Sequence, residues 1–205
     1  TMRSSAKLAP FLCAFLLTAC GTDTELTLPG RLADGRVRLP NGWLLSPAGA
    51  QVDVGELPLN MAVSPDGKHL VTTDNGTGVQ GLSVVDLASG GRLQQIPMPS
   101  AWLGLKFSAD GRRLYASGGT ASRVYVYDVA DGRLALRDSI VLGLPWPKQK
   151  IWLAGLEVDD GAGRLYVVGR ENDSLYVVDL KTKALVKRMK LPATPYTCLL
   201  SRDGK

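Results

Sequence analysis

Three stretches of the chain repeat one pattern, and that repetition restricts the fold more than any other feature. They are NMAVSPDGKHLVTT (60–73), LGLKFSADGRRLYAS (103–117) and AGLEVDDGAGRLYVV (154–168); a fourth copy, YTCLLSRDGK (196–205), begins at the C-terminal end. Each full copy continues into a second half: LSVVDLASGGRLQQIPMP (82–99), VYVYDVADGRLALRDSIVLG (124–143) and LYVVDLKTKALVKRMKLP (175–192). Asp86 and Asp128 are 42 residues apart and Asp128 and Asp179 are 51 apart, the longer step holding an insertion around LGLPWPKQKIWL (142–153). Runs such as Val124–Tyr127 and Leu175–Val178 are β-branched and aromatic, with turn residues on either side. Asp66-Gly67, Asp110-Gly111 and Asp203-Gly204 predict tight turns, because glycine tolerates positive φ and aspartate accepts from nearby amides. Asp86, Asp128 and Asp179 each close a strand before a second turn. Four short strands in about 42 residues make one propeller blade. The expected fold class is therefore all-β: a β-propeller of four-stranded blades. Complete repeats run over about 57–100, 101–152 and 153–193, with a truncated repeat at 194–205 and an N-terminal strand region at about 36–57.

The tandem units, SPDGK followed by VVDLASG, resemble the YVTN-type, WD40-like repeats of YncE-like propellers and surface-layer proteins. A closer resemblance is carried by LPNGWLLSPAG (39–49), LPLNMAVSPDG (57–67), DNGTG (74–78), LPWPKQK (144–150) and PYTCLLSRDGK (195–205). These look like the N-terminal propeller of bacterial proteins that join a YncE-like propeller to a C-terminal alkaline-phosphatase-like phosphoesterase domain. The resemblance implies about seven blades, on the order of 300 residues, so that this chain holds an incomplete ring. It also implies that Gln51–Val54 supplies a closing strand to the last blade. An open three-blade stack leaves two apolar sheet faces in water. At roughly 300 Å² each and about 25 cal/mol/Å², the lost burial is on the order of 15 kcal/mol, as large as the stability of a whole domain. The sequence is thus expected to be a fragment whose missing partners are the C-terminal blades and a metal-dependent phosphoesterase domain.

Residues 2–20, MRSSAKLAPFLCAFLLTAC, read as an export signal: Arg3 and Lys7 precede an apolar run, Leu8 to Leu17, too short to span a bilayer as a mature helix. Leu17-Thr18-Ala19-Cys20, followed by Gly21, resembles the lipobox of bacterial lipoproteins, which implies lipidation of Cys20 and cleavage before it. The expected organisation is a signal peptide at 1–20, a linker at 21–35 and the propeller at 36–205. The expected location is periplasmic or cell-surface, with the membrane as a partner through the lipid anchor. With Cys13 removed and Cys20 lipidated, Cys198 has no intramolecular disulfide partner. Beyond the leader, 22 basic residues face 19 acidic ones, a balance that gives nucleic acid no electrostatic hold.

Catalytic chemistry is sparse. His69 is the single histidine and there are three cysteines, so no metal site, cofactor or catalytic residue is assigned. GTGVQG (76–81) matches a dinucleotide fingerprint, but that chemistry needs a helix to follow, and a strand, LSVVD, follows instead. The recurring aspartates read as turn residues rather than calcium ligands, which must converge in number. Lys187-Arg188-Met189-Lys190 reads as protection of an outer strand edge, and His69 as exposed at a turn. The candidate binding face comprises Asn60, Asn75, Trp102, Trp152, Arg170, Asn172 and Tyr196, gathered around one mouth of the propeller channel. The competing reading is that these aromatics merely pack between blades. Pro145-Trp146-Pro147, with Lys148 and Lys150, is expected to project from the same face. These residues point to a module that binds or scaffolds an unidentified ligand or protein. One alternative is a lactonase-type propeller enzyme using Glu157 and Arg170; another is an adhesive surface-layer propeller.

Overall fold

The computed structural model describes residues 28–201, so the leader, Cys20 and the Asp203-Gly204 turn lie outside the described residues. The chain divides into two compact units, Thr1–Ala48 and Gly49–Lys205. In the first, three two-residue strands, β1 (Gly30–Arg31), β2 (Val37–Arg38) and β3 (Leu44–Leu45), pair antiparallel in chain order. Residues 30–31, expected as linker, are therefore sheet, because the Asp34–Arg36 turn folds them onto β2 through Leu32 N to Arg36 O (2.8 Å).

The second unit holds three four-stranded antiparallel sheets, one per repeat. The first is β4 (Pro58–Val63), β5 (His69–Asp74), β6 (Gly81–Asp86) and β7 (Arg92–Pro97). The second is β8 (Leu105–Phe107), β9 (Arg113–Ser117), β10 (Arg123–Ala130) and β11 (Arg133–Val141). The third is β12 (Leu153–Asp159), β13 (Arg164–Gly169), β14 (Ser174–Asp179) and β15 (Leu185–Lys190). Spatial order equals chain order in every sheet, the meander of a propeller blade. No helix occurs among the described residues.

The turn chemistry repeats with the sequence. Ser64 Oγ donates to Asp66 Oδ1 (2.5 Å), which also accepts from Lys68 N, and Gly67 completes the turn at φ +71°. Ser108, Asp110 and Gly111 reproduce this in the next blade. At the second turns, Asp86 accepts from the Ser89 amide and hydroxyl (both 2.6 Å), and Asp179 accepts from Thr182 N (2.8 Å). Asp128 keeps only part of the pattern: it pairs with Arg113 as Asp179 pairs with Arg164, but β10 runs on past it to Ala130 and it takes Arg137 as a second partner in place of the turn amides.

Period-2 alternation in the middle blade builds two cores at once. Leu114, Ala116, Tyr125 and Tyr127 pack toward the first blade, with Val71, Leu82 and Val84. Tyr115, Val124 and Val126 pack the other way, with Leu156, Val167 and Tyr176. Leu105 and Phe107 on β8, and Leu156 and Val158 on β12, are buried against the preceding blade. The corresponding Met61 and Val63 on β4 are exposed at 66% and 53%.

Gln51–Val54, expected as a closing strand, forms no strand here. It runs beside the second turn of the first blade, where Arg92 Nη1 donates to Asp53 O (3.4 Å). The 76–80 glycine-rich segment is a loop leading into β6, as read from the sequence. The Glu56 carboxylate anchors it by accepting from Gly78 N (2.8 Å) and Thr77 Oγ1 (3.2 Å).

Candidate functional site

In a four-stranded meander, the loop between the second and third strands and the link to the next blade fall at the same end. This end therefore gathers the β5–β6, β9–β10 and β13–β14 loops with the inter-blade segments at 98–104, 142–152 and 191–196. Backbone bonds tie them together: Trp102 N donates to Ser117 O (3.2 Å), Leu153 N to Gly119 O (3.1 Å) and Arg170 N to Trp152 O (3.0 Å). Leu57, Ser100, Trp152 and Thr194, at the start of successive repeats, all have φ between 47° and 55°. That left-handed turn is a property of the repeat, so the strain at Trp152 is not a mark of function.

Asn75, Trp102 and Trp152, from the expected recognition face, line one cavity of about 190 Å³ together with Gln80, Ser100, Gly119 and Thr120. None of its lining side chains is ionisable. Asn75 Nδ2 donates to Ala101 O, and Ser100 Oγ shares a hydrogen bond with Thr120 Oγ1. The indole N–H groups of Trp102 and Trp152 are buried and have no hydrogen-bond partner among the described residues. An indole N–H can only donate, and leaving a buried donor unmet costs about 1–3 kcal/mol. Trp146 packs edge-on to Trp152, centroids 6.3 Å apart, and its amide donates to Thr120 O (2.9 Å). The proline-flanked insertion, expected to project, thus folds back onto the cavity rim because both ring and backbone find partners there.

The other four expected residues are placed elsewhere. Asn60 is committed to the backbone: Nδ2 donates to Leu103 O (2.7 Å) and Oδ1 accepts from Met61 N (2.8 Å). Arg170 lies over the Tyr196 ring at 5.8 Å and pairs with Glu171 Oε1 (3.1 Å). Asn172 donates to Tyr176 OH (2.5 Å) beside a separate groove that Lys150 and Arg188 also line. On the outer edge, Arg188 donates to Ser174 Oγ (2.9 Å) and covers the Tyr176 ring at 5.6 Å, so it packs as well as guarding the edge. His69, expected exposed, begins β5 and is half-buried against the backbone of Gly132, whose missing side chain makes room for it.

A second constellation lies on the inner strands. Lys106 Nζ on β8 stands 2.7 Å from Glu157 Oε1 on β12, and the Glu157 side chain is only 9% exposed. They line a cavity of about 480 Å³ with Asn60, Thr197 and Cys198. Burial, with the Glu157 charge adding to it, pushes the Cys198 thiol up to about 11. Lys106 was missed in the sequence, yet a signal was there: it occupies the same place in LGLKF that Glu157 occupies in AGLEV. Among the described residues no cluster of three or more His, Cys, Asp and Glu is placed to hold a metal ion.

The family model described as the SMP-30/gluconolactonase/LRE-like region matches residues 56–202. No curated protein matches the chain. Similar solved structures include a protein from Lactobacillus plantarum, with a TM-score of 0.63 and 17% identity over 82% of this chain and 52% of that one. A functionally unknown protein from Desulfotomaculum acetoxidans DSM 771 gives 0.61 and 16% over 82% and 51%. The periplasmic gluconolactonase of Pseudomonas aeruginosa gives 0.57 and 23% over 78% and 50%. The chain spans about half the length of these structures, and at such identities the likeness shows the fold alone.

Proposed function

The chain belongs to the SMP-30/gluconolactonase/LRE-like family, and from that premise we propose that it is part of a β-propeller that binds a small molecule on its loop face. The observation that supports this reading is the open pocket lined by Asn75, Trp102 and Trp152, which combines aromatic walls with amides and hydroxyls from several separate segments. The reading is tested by thermal stabilisation of the full chain across a panel of sugars, sugar acids, lactones and amino acids. Thr120→Tyr, which fills the cavity, is expected to abolish any stabilisation; a stabilising compound indifferent to it binds elsewhere.

The propeller is proposed to be exported and anchored by lipid on Cys20, on the strength of the leader and its lipobox. Cys20→Ser is expected to move the protein from the membrane fraction to the soluble fraction. The YncE-like motifs support a parent protein that carries further blades and an alkaline-phosphatase-like phosphoesterase domain.

A second reading is lactone hydrolysis, supported by the family and by the Lys106–Glu157 pair. Glu157 would take a proton from water as the water oxygen adds to the lactone carbonyl, with the Lys106 ammonium beside the developing oxyanion. The ring C–O bond then breaks, and the proton passes to the departing alkoxide. Hydrolysis of an aldonolactone that is lost in Glu157→Gln would establish this reading, and an unaffected rate would exclude Glu157 from it.

A further inference from the structure

We propose that the loop end of the propeller docks on an anionic bilayer surface, Leu144 and Trp146 entering the interface while Lys148, Lys150 and Arg188 meet headgroup phosphates. The surface is built by residues 144–150 and the β15 edge, none of which lines the loop-face pocket. Exposed apolar side chains gather at this end. Leu144 and Trp146 are 52% and 51% exposed, and Val79, in the β5–β6 loop, is 65% exposed. All residues from 144 to 150 are exposed, apolar first and cationic after. A tryptophan, with an apolar body and a polar N–H, favours the level of the headgroups, and lysine stems reach from there to phosphate. The loop is held in shape: Trp146 N donates to Thr120 O (2.9 Å), Leu144 N to Gln149 Oε1 (2.7 Å) and Lys148 N to Pro145 O (3.0 Å). Its exposed side chains are therefore presented with little backbone freedom left to lose on contact.

Charge selects the partner. Segments 142–152, 170–174 and 187–190 carry six cations, and Glu171 and Asp173 are their only carboxylates. Both are engaged, Glu171 by Lys150 (3.3 Å) and Arg170 (3.1 Å), and Asp173 by Lys190 (3.0 Å) and Thr194 N (2.7 Å). Lys148 has no ion-pair partner among the described residues, and Arg188 is met there only by the neutral Ser174 hydroxyl and Tyr176 ring. Lys150 and Arg188 line one groove of about 330 Å³ beside the insertion. At the opposite end of the blades every turn carries or adjoins an aspartate, so an anionic surface is drawn to the loop end and repelled at the other. A bilayer fits better than a free anion because Leu144 and Trp146 stand exposed beside the cations, and a soluble anion would leave them in water.

The test is co-sedimentation of the full chain with vesicles of phosphatidylcholine alone and with about 30% phosphatidylglycerol, at low salt and at about 0.5 M salt. Binding is expected to be at least about tenfold tighter on the anionic vesicles and to weaken at high salt. Leu144→Ser and Lys148→Glu, both at exposed positions, are each expected to weaken it by about tenfold. Lys181→Glu, the same charge change at the opposite end, is expected to weaken it by less than about twofold. The leader is common to every variant, so differences among them report the loop. Equal binding to both vesicles that neither loop variant changes would place the contact in the leader and overturn the proposal. Equal losses in Lys148→Glu and Lys181→Glu would mean that net charge alone governs, and would overturn it too. Inorganic phosphate tests the soluble anion. Thermal stabilisation by phosphate that is lost in Lys148→Glu and kept in Leu144→Ser, with no preference between the vesicles, overturns the lipid surface. So does the failure of the chain to bind either vesicle.

Discussion

Gly119 lines the cavity at φ +43°, and an added Cβ would stand 3.0 Å from the Ser100 carbonyl oxygen and 3.3 Å from Trp102 Cβ. Gly67 has φ +71° with nothing within 4 Å of such a Cβ, so the two glycines separate backbone strain from crowding. Gly67→Ala is expected to cost about 1 kcal/mol of backbone strain. Gly119→Ala is expected to cost about 2–3 kcal/mol, because Trp102 must also move, and to weaken ligand binding; urea unfolding of both variants measures the difference. Hydroxyls and amides at the turns act on charge as well as shape. Asp66 and Asp110 are held below the ordinary carboxylate range chiefly by Ser64 and Ser108, Asp86 by Ser89, and Asp179 by Thr182. Their folded values lie below the unfolded value of about 3.9, so their contribution is complete above it and is lost as pH falls through the folded values. Stability is expected to be flat from neutrality to about pH 5 and to fall below about pH 4, as acid titration followed by circular dichroism will show. Cys198 shifts the other way: its burial keeps the thiol protonated, so iodoacetamide at pH 8 is expected to label it slowly in the folded chain and readily in urea.

The inner strands β8 and β12 are neighbours in adjacent blades and carry opposite charges at the same repeat position, Lys106 and Glu157. The Glu157 side chain is buried while the Lys106 side chain remains 45% exposed, so the two halves of the pair are unequal. Lys106→Met leaves a buried acid without its counter-charge and is expected to destabilise by about 2 kcal/mol, below the range for fully buried pairs because solvent reaches the lysine. Glu157→Leu leaves only a solvated cation and is expected to cost less than about 1 kcal/mol. The double variant is expected to recover most of the loss, and a thermal-unfolding cycle measures the coupling. Strand identity and the first turns were legible in the sequence because both follow from local chemistry: Ser64 and Asp66 act within one turn, as do Ser108 and Asp110. Asp128 was not legible as a special case, since the partner that sets it apart from Asp179, Arg137, reaches it from the neighbouring strand β11.

Across the Gly49–Lys205 unit, the middle blade is shared by both apolar clusters, and each flanking blade contributes to one. Local opening should follow that arrangement: amides of β9 and β10 are expected to exchange most slowly, and those of β4 and β15 most rapidly, in a hydrogen-exchange experiment. Equal protection of all three blades would mean that the sheets open only together. The repeats, the four-strand rhythm and the all-β class were determined by the sequence alone, because alternation and turn residues act over a few positions and recur once per blade. The sequence also picked out the loop end, since strand parity places those connections together. Only the tertiary structure decided which residues at that end share a cavity. Trp102 and Trp152 are 50 residues apart, and their meeting depends on how adjacent blades pack and on the backbone bonds from Gly119 and Thr120. Asn60 carried the same signal in the sequence and was spent on Leu103 O instead. A side chain's chemistry is local, but whether its donors and acceptors remain free depends on neighbours that only packing brings within reach.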